Sequence, residues 1–137
     1  MGADLYIKNL PREPQYTGYR TDLEAGYFRD SYNATNVLWK YGLSYWSIIK
    51  ELPMEGEEDD EAVSVEGVKK LLSMVEEAQP VFDDFIKNLT PAWLKENHCN
   101  EVDDLAGWRK FWIERSINLK AFLNKAIELN SPMIFSV

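Results

Sequence analysis

Residues 22–52, DLEAGYFRDSYNATNVLWKYGLSYWSIIKEL, carry the reading on which the architecture turns. Phe28, Tyr32, Thr35 and Trp39 recur at helical spacing, as do Leu38, Tyr41 and Tyr45. The spacing predicts a helix from about Asp22. Gly42 should break or bend it, since glycine costs about 1 kcal/mol inside a helix. A second helix from Ser44 to Leu52 would carry Trp46, Ile49 and Leu52 and end at Pro53.

Downstream, residues 51–62 hold seven acids and no base. Like charges in a block repel and stay solvated, so residues 53–63 read as a flexible acidic loop. Ser64 is a plausible cap for a helix running to about Gln79, with Val68, Leu71, Leu72 and Val75 as its buried stripe. Pro80 opens a shorter helix bearing Phe82, Phe85, Ile86 and Leu89, and Thr90-Pro91 starts another with Trp93 and Leu94. From Asp103 or Asp104 to about Asn130 one helix runs without interruption. Leu105, Trp108, Phe111, Trp112, Ser116, Leu119, Phe122, Leu123, Ala126, Ile127 and Leu129 share an arc of about 160° at ~100° per residue. At ~1.5 Å per residue it extends about 40 Å. Asn130 suits a left-handed terminal position and Pro132 stops the helix.

At the two ends, Ala3–Ile7 and Met133–Val137 read as short strands. Pro11, Pro14 and Gly18 mark a loop after the first. A lone strand leaves unpaired backbone groups, so residues 4–8 are expected to pair with 133–137. The expected fold is mainly α. It is a single all-alpha helical domain over 1–137, a compact bundle of about five helices around a long central C-terminal helix, with a small two-stranded β element joining the termini.

The 137 residues, 45% of them hydrophobic and 13% aromatic, suffice for a core without disulfide or metal staples. The net charge of -8 lies almost wholly in the acidic segment, because the remaining chain has 16 acids against 15 bases. No basic face is offered to nucleic acid or an anionic membrane. No window approaches the ~18 apolar residues of a membrane span. The first ten residues lack the pattern of a secretory leader. The single cysteine, Cys99, excludes an internal disulfide. Together these predict a cytoplasmic protein.

No motif identifies a reaction. His98 and Cys99 are adjacent and each is the sole residue of its kind, which is too few for zinc. They read as polar loop residues. The acidic run lacks the alternating ligands and glycine of a calcium loop. The doublets Asp83-Asp84 and Asp103-Asp104 read as charges at helix starts. No metal or cofactor is expected.

Two features stand out. Arg115 lies inside the apolar arc between Phe111 and Leu119, where an unpaired guanidinium is very costly. It should meet a carboxylate, stack on a ring or bind an anion, and Asp30 is the candidate partner, with Glu24 and Asp22 as alternatives. Residues 24–36 place Tyr27, Arg29, Asp30, Asn33 and Asn36 among aromatics, and asparagine is a poor helix-interior residue. With Arg109 and Arg115 these form the candidate ligand-binding set. The reading that follows is a protein-interaction or adaptor module rather than an enzyme, a class to which an immunity or antitoxin-like role belongs by analogy of size and charge. Its partner would be another protein or a second copy of the chain in a homodimer. The alternative is a small-molecule or anion-binding protein, or an enzyme, that uses the Tyr/Arg/Asp/Asn cluster. A deep pocket would favour the second and a flat aromatic patch the first.

Overall fold

The computed structural model describes residues 2–10, 21, 23–56 and 61–136. The elements in chain order are β1 (Gly2–Ile7), β2 (Tyr27–Ser31), a 3₁₀ turn (Leu38–Tyr41), α1 (Tyr45–Ile48), β3 (Met54–Glu55), β4 (Ala62–Val63), α2 (Val65–Glu77), α3 (Gln79–Lys87), α4 (Pro91–Glu96), α5 (Leu105–Glu128) and β5 (Met133–Ser136). The strands form one antiparallel sheet of five in the order β2-β1-β5-β4-β3.

This corrects the expected mainly-α, all-alpha bundle. The two ends do pair, Asp4 opposite Ser136 and Ile7 opposite Met133, but as one ladder of a five-stranded sheet and not as a two-stranded appendage. The misreading arose in residues 22–52. Tyr27–Ser31 is an edge strand, with Tyr27 opposite Tyr6 and Ser31 opposite Gly2. Gly26, at φ 70°, turns the chain into it. Aromatic residues are as much at home in strands as in helices. The spacing of Phe28, Tyr32, Thr35 and Trp39 therefore came from a strand, a loop and a 3₁₀ turn in succession. Gly42 does end the 3₁₀ turn, in the left-handed region at φ 74°. Ser44 precedes α1, a single turn that stops at Ile48.

Strand alternation sets the core. Ala3, Leu5 and Ile7 of β1 are fully buried, and their neighbours on the same face are Phe28, Asp30, Met133 and Phe135. Phe28 meets Phe122 of α5 at 6.1 Å, and Tyr45 meets Phe135 at 5.4 Å. Trp112, Leu119, Phe122, Leu123 and Ala126 line the buried side of α5. The start signals act as expected. Ser64 accepts from the Gly67 N–H and Thr90 from the Trp93 N–H, each at 3.1 Å. Asn130 sits at φ 49°. Met54–Glu55 pair with Ala62–Val63 on either side of the acidic run, whose residues 57–60 lie outside the described residues. Pro11, Pro14, Gly18 and Asp22 lie outside them as well.

Candidate functional site

Asp30 points from β2 into the apolar face of the sheet, with its side chain 1% exposed. Its carboxylate accepts from the N–H groups of Ser31 (2.9 Å), Val37 (3.0 Å) and Leu38 (3.3 Å) and from the Tyr45 hydroxyl (2.9 Å). Arg115 stands 3.9 Å away and lies over the Phe28 ring, its carbon 4.6 Å from the centroid. Arg115 also donates to Thr21 Oγ1 at 3.0 Å and to the Arg29 carbonyl. Burial raises the Asp30 carboxyl above the ordinary range, against the lowering effect of these donors and of Arg115.

Residues 31–36 form a loop closed on itself. Asn33 Oδ1 accepts from the Thr35 N–H (2.9 Å) and hydroxyl (2.6 Å). Asn36 is fully buried, donates to the Ser31 carbonyl and accepts from the Trp39 N–H at 2.8 Å. That last bond supports the start of the 3₁₀ turn, so these asparagines are turn-builders. On the other face of β2, Tyr27 donates to Asp4 at 2.6 Å and Arg29 to the same oxygen at 3.2 Å. Burial, with the bond to Asp4, pushes the Tyr27 hydroxyl up to about 12.

Of the seven expected site residues, Arg29, Asp30, Asn33 and Arg115 line one cleft of about 430 Å³, with Ser31, Thr35 and Phe111. Tyr27 and Asn36 do not line it: Asn36 is bonded to the Ser31 carbonyl and Tyr27 to Asp4 on the other face of β2. Arg109 does not join them. It donates to the Ile86 (3.0 Å) and Leu89 (3.4 Å) carbonyls, satisfying the end of α3.

A second cleft, of about 730 Å³, adjoins the first across Asn33 and Thr35. Its walls are Ala34, Trp39, Lys40, Phe85, Trp93, Trp108 and the segment from Glu96 to Asn100. An aromatic cluster shapes it: Trp112 touches Phe85 (5.0 Å), Trp93 (5.7 Å) and Trp108 (5.1 Å). The rim is tied by Trp108 donating to the Asn100 carbonyl and Asn97 to the Trp93 carbonyl, each at 2.8 Å. Lys40 is the buried cation of the wall. The residue is 7% exposed, and its Nζ is 5.3 Å from the centroids of Phe85, Trp93 and Trp112. It donates to the Ala34 carbonyl at 2.7 Å and has no ion pair among the described residues. Burial lowers its ammonium to about 8, with Asp30 and Cys99 pulling weakly the other way. Burial likewise pushes the Cys99 thiol up.

Sequence reasoning missed Lys40. A lysine between Trp39 and Tyr41 reads as a solvated helix residue once the segment is taken as helix. His98 and Cys99, read as loop residues, are in a loop, and that loop forms the cleft's lip. Among the described residues no group of three or more His, Cys, Asp or Glu is placed to hold a metal ion. Among them, too, no helix is long and apolar enough to cross a membrane. Comparison with protein-family models, curated proteins and solved structures finds no match to this chain.

Proposed function

We propose that the chain binds a small planar ligand with an acidic group in the cleft around Lys40. One observation carries this: the Lys40 ammonium is buried against three rings and, among the described residues, has a single carbonyl acceptor and no ion pair. Buried charges are ordinarily paired. An anion entering the cleft would supply the missing partner, and its planar part would lie against Trp39, Trp93 and Trp108. A cleft that combines aromatic walls with polar groups and a displaced pKa is a usual form of small-molecule site.

Titration with indole-3-carboxylate, followed by the indole N–H signals of the five tryptophans in a nitrogen–proton spectrum, tests it. Trp39, Trp93 and Trp108 should shift saturably. Lys40→Met should weaken binding about tenfold, the effect of roughly 1.4 kcal/mol. No saturable shift would overturn the proposal. The interaction-module reading keeps one supporting feature. Trp46 is 58% exposed and stacks on Tyr32 at 6.1 Å, away from the cleft walls. A protein docking there would move the Trp46 signal and leave Trp93 in place.

A further inference from the structure

Three features of Lys40 go together. It is the one buried lysine of ten among the described residues. It opens onto a cleft large enough for a substituted ring, walled by Trp39, Phe85, Trp93 and Trp108 and rimmed by the polar residues of 33–35 and 96–100. Its Nζ holds one hydrogen bond, to Ala34, which leaves the other nitrogen positions unengaged by acceptors among the described residues. Lysines desolvated in hydrophobic pockets are the ones that act as nucleophiles, because burial disfavours the ammonium and frees the lone pair.

We infer that Lys40 is a covalent capture site for small aromatic aldehydes, which condense with its Nζ to an imine inside the cleft. The inference rests on the same cleft as the proposed ligand site and adds the chemistry of its amine. The lone pair of the neutral amine attacks the aldehyde carbon and gives a carbinolamine. Loss of water follows, in which the aldehyde oxygen leaves with both amine hydrogens and the C=N bond replaces C=O. No oxidant or reductant takes part. Cys99, on the same lip, does not compete for a stable product. Its thiol is held protonated by burial, and a thiol adds to an aldehyde only reversibly. With the amine at about 8, the free-base fraction near neutrality exceeds that of an ordinary lysine by roughly two orders of magnitude.

The test incubates the full chain with benzaldehyde at pH 7.4, adds cyanoborohydride to fix any imine, and locates benzylated lysines by peptide mass spectrometry. Lys40 should carry at least about tenfold more label than any other lysine. The same reaction on urea-unfolded chain should lose this preference. Lys40→Arg, folded by circular dichroism, should label evenly at a low level. Label spread over the exposed lysines in the folded chain would overturn the inference, and so would a preference for Lys40 that persists in urea. Indole-3-carboxylate separates this inference from the proposed function. Saturable binding without Lys40 labelling defeats the inference alone, whereas labelling without such binding defeats only the acidic-ligand proposal.

Discussion

Asp30 and Lys40 are both buried charges on the same stretch of chain, and the protein treats them in opposite ways. Asp30 is surrounded by donors: three backbone N–H groups, the Tyr45 hydroxyl and the Arg115 guanidinium. Lys40 has one carbonyl and three ring faces. A buried carboxylate whose capacity is filled from within the chain stabilises the fold, for it fixes the turn from β2 to the 3₁₀ helix. A buried ammonium left with one acceptor stabilises the fold little and retains the capacity to bind. The contrast supports architecture for the Asp30 cluster and the proposed recognition role for the Lys40 cleft, whereas sequence alone offered only the former as a candidate site.

The sharpest way to break the contrast is Asp30→Ala. It leaves the Val37 and Leu38 N–H groups and the Tyr45 hydroxyl without their acceptor, and Arg115 without its counter-charge, in a dry environment. Each such orphan costs about 1–3 kcal/mol, and losing one partner of a buried charge costs about 3–5. The expected loss exceeds about 4 kcal/mol, read as a large drop in urea midpoint or no cooperative transition at all. A loss under about 1 kcal/mol would move Asp30 out of the architecture and among the functional charges.

Arg115→Met comes next. Removing one member of a buried pair typically costs about 3–5 kcal/mol. Here Asp30 keeps its four other donors, the Arg115 side chain is 18% exposed and the pair is 3.9 Å apart. A loss of about 2–3 kcal/mol by urea unfolding is expected. A neutral or stabilising result would mean that Arg115 is strained for a ligand in the neighbouring cleft.

These two residues also show what the sequence made legible. A guanidinium in the apolar arc of α5 had to find a partner, and Asp30 could be named because both lie where the longest helix crosses the core. The α2, α4 and α5 boundaries were equally readable, since Ser64, Thr90-Pro91, Asp104 and Asn130 act locally on the backbone beside them. The sheet was not. Met54–Glu55 and Ala62–Val63 are two-residue strands, too short for any alternation. Tyr27–Ser31 buries Tyr27 and Phe28 in succession, which erases the period of two. The Lys40 cleft was hidden for a different reason. Its walls come from the 3₁₀ turn, α3, α4 and α5, and nothing local to Lys40 announces rings brought from 45 or more residues away.

The smallest effect tests the other side of the contrast, through Lys40→Met. Burial holds the folded-state ammonium at about 8, below the ~10.4 of an unfolded chain. Between these values the unfolded state binds more protons than the folded one, so this residue makes stability rise with pH. Below about 8 both states carry the proton and the cost of burying the charge is fully present. Methionine has a similar reach and no charge. Lys40→Met should therefore match or exceed the parent at pH 7, by about 1 kcal/mol once the lost Ala34 bond and ring contacts are set against the relief. By pH 9.5 the difference should vanish or reverse. Cys99, whose burial-raised thiol acts in the opposite direction, is present in both proteins and largely cancels in their difference. The tyrosines are avoided by stopping at 9.5, since Tyr27 is held protonated to about 12 and would lower stability at higher pH. Urea midpoints of both proteins at pH 7.0 and 9.5 give the answer. If the parent loses ground to Lys40→Met as pH rises, the ammonium is stabilised where it sits, and Lys40 belongs with Asp30 in the architecture.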